Sequence, residues 1–154
     1  MKKIILKIVL TISALLLGYI IINVIMGDGK TDGDGSFELI ILDSNQDVVY
    51  NEVLYYEEGQ TFFDVLNENF ELTCANRLYE ADDTCGYKFT IMQYKNHVVL
   101  GIKSDVFEIM TDWDNTFLKI EIYDGNEYVR STIGFDYVNI EENKKIRISA
   151  DLVE

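Results

Sequence analysis

The 154-residue chain contains no proline, one histidine, one tryptophan and two cysteines, with only 13 lysines and arginines against 27 aspartates and glutamates. Each shortage narrows what the chain can be. Without proline, no candidate strand is vetoed from within. With His97 as the single imidazole, a metal site lacks ligands, and no local motif pairs it with a serine or cysteine nucleophile. Cys74 and Cys85 do not have the C-x-x-C spacing of redox catalysts. The shortage of cations leaves a formal net charge of −14, and such a surface repels nucleic acid and anionic lipid headgroups. No catalytic constellation, metal set or cofactor motif emerges.

What is present begins with the run from Met1 to Met26, MKKIILKIVLTISALLLGYIIINVIM, whose only charged side chains are Lys2, Lys3 and Lys7. From Ile8 onward it is uncharged, and its ~19 residues at ~1.5 Å each cover roughly the ~30 Å hydrocarbon layer of a bilayer. Lys7 can snorkel to the headgroups. The positive-inside bias keeps all three lysines cytoplasmic and sends the rest outward. Residues 1–26 are therefore expected to be a single-pass anchor with an extracellular C-terminal domain. The alternative is a cleaved secretory signal, although Asn23 to Met26 before Gly27 form a poor small-x-small site. No cysteine directly follows the run to support a lipoprotein. Both readings place the body outside the cytoplasm.

Beyond residue 26, ten basic residues face all 27 acidic ones, a net charge of −17. Abundant Tyr, Phe, Ile and Val argue against disorder, and the remaining length suffices for one core. Residues 27–36 hold four glycines and read as a flexible linker. Asp28, Asp32 and Asp34 with Gly33 at the sixth position give part of a calcium-loop pattern, but Lys30 and Leu39 occupy positions that need oxygen ligands. One domain is expected over 37–154.

Within it, Phe37 to Asp43 and Val48 to Tyr56 read as a hairpin across the Ser44–Asp47 turn. Thr61 and Asp64 form an acidic capping box for a helix ending near Glu71, with Phe62, Phe63, Val65, Leu66 and Phe70 as its apolar stripe. Leu72 to Gly86 reads as irregular. Lys88 to Tyr94 reads as a strand, Lys95-Asn96 as a turn and His97 to Ile102 as a strand, followed by a short apolar segment, Val106 to Met110. Phe117 to Tyr123 alternates cleanly, Asp124-Gly125-Asn126 turns the chain toward Tyr128 and Val129, and Ile146 to Leu152 closes it. A hairpin, one helix and further strands make an α+β domain with the helix packed on a mixed sheet. The β-β-α-β-β-β order is that of a β-grasp.

Two segments carry a family resemblance: Glu58-Gly59-Gln60-Thr61-Phe62-Phe63-Asp64-Val65-Leu66, and Trp113 through Tyr128 followed by Ser131-Thr132-Ile133-Gly134. Together they resemble the bacterial surface domains of unassigned function related to the transcobalamin C-terminal domain, over about Phe37 to Leu152. This chain has Tyr123-Asp124-Gly125-Asn126 where the family has Asn-Gly, and Glu142 to Ile146 where it has Gly-Asp. The resemblance implies a β-grasp-like module without catalysis that captures a small ligand such as a corrinoid for transport, or a structural or adhesive surface domain. Capture predicts a concave aromatic patch near Trp113, Tyr123 and Tyr128; a surface-interaction role predicts a flat patch or an exposed sheet edge.

Cys74 and Cys85, in an exported loop, fit a disulfide worth about 2–3 kcal/mol, with two free thiols as the alternative. His97 reads as a solvent-exposed turn residue, or as a ligand to a corrinoid cobalt. Asp112, Asp114 and Asp124 around Trp113 raise the possibility of a carboxylate pair. Tyr55, Tyr56 and Tyr79 offer a ring-stacking surface or ordinary sheet packing.

Overall fold

The computed structural model describes residues 10–15, 29–91, 94–112 and 114–152. Of the apolar run, residues 10–15 are helical, and the remainder of the expected membrane helix lies outside the described residues. Among the described residues no helix is long and apolar enough to cross a membrane.

The body is mixed α+β. Strands β1 (Gly35–Leu42) and β2 (Val48–Tyr56) form the expected hairpin. The Asp43 carboxylate closes it by accepting from the N–H groups of Asn45 and Asp47 at 2.8 and 2.9 Å. Strands β9 (Thr116–Tyr123), β10 (Tyr128–Arg130) and β11 (Lys145–Leu152) complete a five-stranded sheet, in the order β10-β9-β11-β1-β2. The central pair β1 and β11 is parallel and the other pairs are antiparallel. Residues directly opposite across a ladder share a face, so the register aligns Ile41, Ile148 and Ile120 in one buried row.

Helix α1 (Phe62–Asn69) covers that inner face. Its capping box is the one read from the sequence: Asp64 N–H donates to the Thr61 hydroxyl at 3.1 Å, and Thr61 N–H donates to the Asp64 carboxylate at 2.9 Å. Burial of Phe62, Phe63, Val65 and Leu66 contributes about 1.5–3 kcal/mol per side chain. The helix stops at Asn69 and not near Glu71. Asn69 Nδ2 donates to the Val65 carbonyl at 2.8 Å, Phe70 is already extended, and Glu71 opens a strand.

That strand corrects the irregular reading of Leu72 to Gly86. β3 (Glu71–Ala75) and β4 (Ala81–Asp82) join β7 (Val99–Lys103) and β8 (Glu108–Met110) in a second sheet, ordered β4-β3-β7-β8. The expected turn at Lys95-Asn96 is also corrected: both residues lie in β6 (Tyr94–Asn96), paired with β5 (Phe89–Ile91). Inner residues of both larger sheets and α1 share one hydrophobic core. Phe62 is at its centre, edge-on to Phe37 at 5.6 Å and stacked on Phe135 at 6.0 Å.

The expected free linker is attached to this body from Gly29 onward, and β1 starts at Gly35, two residues before the anticipated boundary. Thr31 is buried; its N–H donates to the Gln60 carbonyl at 3.1 Å and its hydroxyl to the Glu57 carbonyl at 2.7 Å. Asp32 N–H donates to Glu141 at 3.0 Å, and Asp34 accepts from Glu58 N–H at 3.0 Å. Gly29, at φ +75, lies so close to the Asp136 carbonyl that a Cβ has no room there. Glycine here permits a docked backbone, where composition alone suggested slack.

Candidate functional site

The alternation in β9 places Phe117, Lys119, Glu121 and Tyr123 on the open face of the five-stranded sheet, away from α1. Turn 124–127 returns the chain so that Tyr128 is directly opposite Tyr123. Asp124 supports this turn by accepting from the N–H groups of Asn126 and Glu127 at 2.8 and 2.9 Å. Those bonds hold its carboxyl below the ordinary carboxylate range. The Tyr123 and Tyr128 rings are 5.3 Å apart.

Cations from β11 and β10 cover the aromatic faces. The Arg147 guanidinium is 4.2 Å from the Tyr128 centroid, and its Nε donates to Glu121 at 2.7 Å. Lys145 stands 6.0 Å from the Tyr123 centroid and pairs with Glu38 at 2.9 Å, which raises the lysine's pKa. Arg130 lies over Phe117 at 4.9 Å, and Lys119 bridges Asp151 and Glu121 at 2.9 and 3.4 Å. The result is a broad ladder of aromatic–cation and ion pairs on a sheet face. It is suited to stacking and charge-assisted hydrogen bonding with a partner.

Trp113, the third expected member of the patch, lies outside the described residues. Its neighbour Asp112 accepts from Asn115 N–H at 2.8 Å, Asn115 Nδ2 at 2.7 Å and Thr116 N–H at 2.9 Å. These bonds hold its carboxyl far below the ordinary range. Asp112 and Asp124 flank opposite ends of the eight-residue β9, roughly 25 Å apart at ~3.3 Å per residue. They are turn caps and do not form a carboxylate pair. Tyr56 is buried and Tyr55 exposed, so they form no joint surface; Tyr79 instead packs on Phe89 at 4.8 Å.

No family model, curated protein or solved structure matches this chain. Its chemistry is therefore read from the residues that the fold brings together.

A buried carboxylate with several partners belongs to Asp136, a residue the sequence reading did not single out. It is only 3% exposed. It accepts from Lys88 Nζ at 2.7 Å and from His97 N–H at 2.6 Å, with His97 Nδ1 3.0 Å away. Burial alone would push its pKa up, but the His97 and Lys88 hydrogen bonds outweigh burial and hold it below the ordinary value. His97 is corrected from exposed turn to buried residue: it is 8% exposed and stacked on Phe63 at 3.6 Å. One signal was legible, since Asp136 stands alone among Phe135, Tyr137 and Val138. A single acid in an apolar stretch is buried only with partners.

Cys74 and Cys85 are joined, as expected, with Cα atoms 4.9 Å apart. A groove of about 550 Å³ runs over β3, β7 and β8, floored by Leu72, Ile102 and Ile109 and rimmed by Glu71 and Lys103. The Met110 thioether lies across Gly101, where any side chain would collide with it. Neither Tyr123 nor Tyr128 lines this groove.

Proposed function

We propose that this chain is a non-catalytic, membrane-anchored extracytoplasmic module of β-grasp type, and that it recognises a macromolecular surface through the open face of its five-stranded sheet. The observation that carries this reading is the position of Tyr123 and Tyr128. They are cross-strand neighbours on a broad sheet face and share it with Arg147 and Lys145. Aromatic and arginine side chains are the residue types enriched where proteins meet. An enclosed corrinoid calls for a concave aromatic pocket, and the groove on the second sheet is lined by other residues.

The β-grasp part is supported by the strand order, with first and last strands parallel at the sheet centre and the helix following the first hairpin. The extracytoplasmic part is supported by the lysine-flanked run and by the Cys74–Cys85 disulfide, a bond typical of oxidising compartments. Asp112 and Asp124 support a non-catalytic reading, because each is engaged in capping a turn at its own end of β9.

Photocrosslinking in intact cells tests the proposal. A benzophenone side chain at position 123 or 128 should yield discrete adducts that are lost on Arg147→Ala, while one at Asn45 should not. Adduct patterns that ignore both position and Arg147 would overturn it. In parallel, corrinoid titration of the full chain, followed by Trp113 fluorescence, should give no saturable change. A saturable change would favour ligand capture.

A further inference from the structure

The end of the domain where the N-terminal segment joins it carries an exposed apolar patch outside both the core and the open sheet face. Its most prominent part is the tip joining β3 to β4, residues 76–80. Asn76 Oδ1 accepts from Leu78 N–H at 2.7 Å and Glu80 N–H at 3.1 Å, and Asn76 N–H donates to the Glu80 carbonyl at 2.8 Å. Tyr79 holds φ 63, a left-handed conformation that bulky side chains rarely adopt. The Cys74–Cys85 bond ties the base of this hairpin. A braced tip thus projects Leu78, 73% exposed, and Tyr79, 60% exposed.

The patch continues through contacts toward the N-terminal junction. Tyr79 and Tyr87 both pack on Phe89, at 4.8 and 4.9 Å, and Phe89 pairs with Asn96. On the same β5–β6 hairpin the Tyr94 ring meets Tyr137 at 5.2 Å, and the Tyr137 backbone abuts Gly29. Ile133, 48% exposed, lies beside Gly134, which packs on Asn96. Lys30, Arg77 and Lys95 follow or flank Gly29, Leu78 and Tyr94 in sequence and are exposed. The acids Glu80, Asp82 and Asp83 lie on the same β3–β4 hairpin, and Lys88 is held by Asp136 at 2.7 Å. Three of the ten later cations thus accompany the patch residues along the chain. The neighbouring corner, with Glu57, Glu58, Glu141 and Glu142, is acidic.

Chain length brings this rim to the membrane. The apolar run ends at Met26, and three residue steps to Gly29 span at most about 11 Å. Because Gly29 is docked against Asp136 and Tyr137, the rim cannot stand far from the end of the run. We propose that this rim, with Leu78 and Tyr79 at its tip, rests in the headgroup layer of the bilayer that holds the run. Tyrosine rings favour that layer, and exposed cations such as Arg77 and Lys95 meet lipid phosphates there. Glu57, Glu58 and Glu141 bond residues 31–34 at the same end of the domain, and the open sheet face is left to a partner. This inference rests on the anchored reading above.

The test uses the full chain in phosphatidylcholine nanodiscs containing a headgroup-attached nitroxide lipid, with amide relaxation read by NMR. The amides of Leu78, Tyr79, Tyr87 and Ile133 should relax several-fold faster than that of Asn45, in the turn at the far end of β1. Leu78→Asp combined with Tyr79→Ser should remove most of that difference and leave vesicle flotation unchanged. Flotation with equal relaxation at Leu78 and Asn45 would overturn the docking alone and leave the patch to a protein partner. A chain that does not float with vesicles would overturn both the docking and the anchor.

Discussion

Asp136 grips His97 from 39 positions away by two different groups, the backbone N–H at 2.6 Å and imidazole Nδ1 at 3.0 Å. The same carboxylate holds Lys88, so one buried acid fastens the β5–β6 hairpin and the start of β7 to the segment before β11. Removing a buried charge leaves its partners unpaired. Asp136→Ala should therefore destabilise the domain by about 3 kcal/mol. Urea unfolding measures this, and a loss below about 1 kcal/mol would show that the junction is not structural.

The same residue sets an acid limit. Its folded pKa lies below the ordinary carboxylate value, so it favours the folded state fully above that value, near pH ~3.9. The contribution is lost as pH falls through the lower folded pKa. Melting temperatures between pH 6 and pH 2 should fall more steeply for the natural chain than for Asp136→Asn, with the difference concentrated below about pH 4. Parallel curves would count against this assignment.

Reduction should loosen one region first. The Cys74–Cys85 bond closes a separation of eleven residues, worth about 2–3 kcal/mol through the unfolded chain. A reductant, or the Cys74→Ala/Cys85→Ala pair, should lower stability by that amount. Hydrogen exchange should rise most at residues 76–88. A uniform rise across the domain would argue against a local brace.

Gly29 should be intolerant of a side chain. At φ +75, and pressed on the Asp136 carbonyl, a Gly29→Ala change should undock the segment without unfolding the core. Exchange of the Thr31 amide, bonded to Gln60 at 3.1 Å, should accelerate by an order of magnitude or more, while Ile148 in the sheet centre stays protected. Unchanged exchange at Thr31 would mean that the segment docks through other contacts.

The elements that were legible before folding are those whose signals are local. Thr61 and Asp64 announce a helix start because both partners of the capping box lie within one turn. Phe117–Tyr123 shows itself by alternation along a single strand, Val48–Tyr56 by the Ser44–Asp47 turn before it, and Asp124-Gly125-Asn126 by turn chemistry. β3 escaped notice because its residues, Glu71-Leu72-Thr73-Cys74-Ala75, have little intrinsic strand preference. Pairing with β7 makes them a strand. Lys95 and Asn96 look like a turn in isolation and are held extended by β5.

The sequence by itself determined the acidic charge, the α+β class, the first hairpin, the capped helix and the face of β9 on which Tyr123 lies. All of these follow from periodicity, capping and composition over a few residues. Only the tertiary structure decided that β1 runs parallel to β11, that Tyr128 returns beside Tyr123 under the cover of Arg147, and that Gly29 is docked. It also decided that the lone histidine is buried on Phe63 with a carboxylate 39 positions along the chain. The physical reason is range. A lone aspartate or glycine carries no mark of its partner, and only the packed core, by excluding water, makes one particular distant pairing cheaper than solvation.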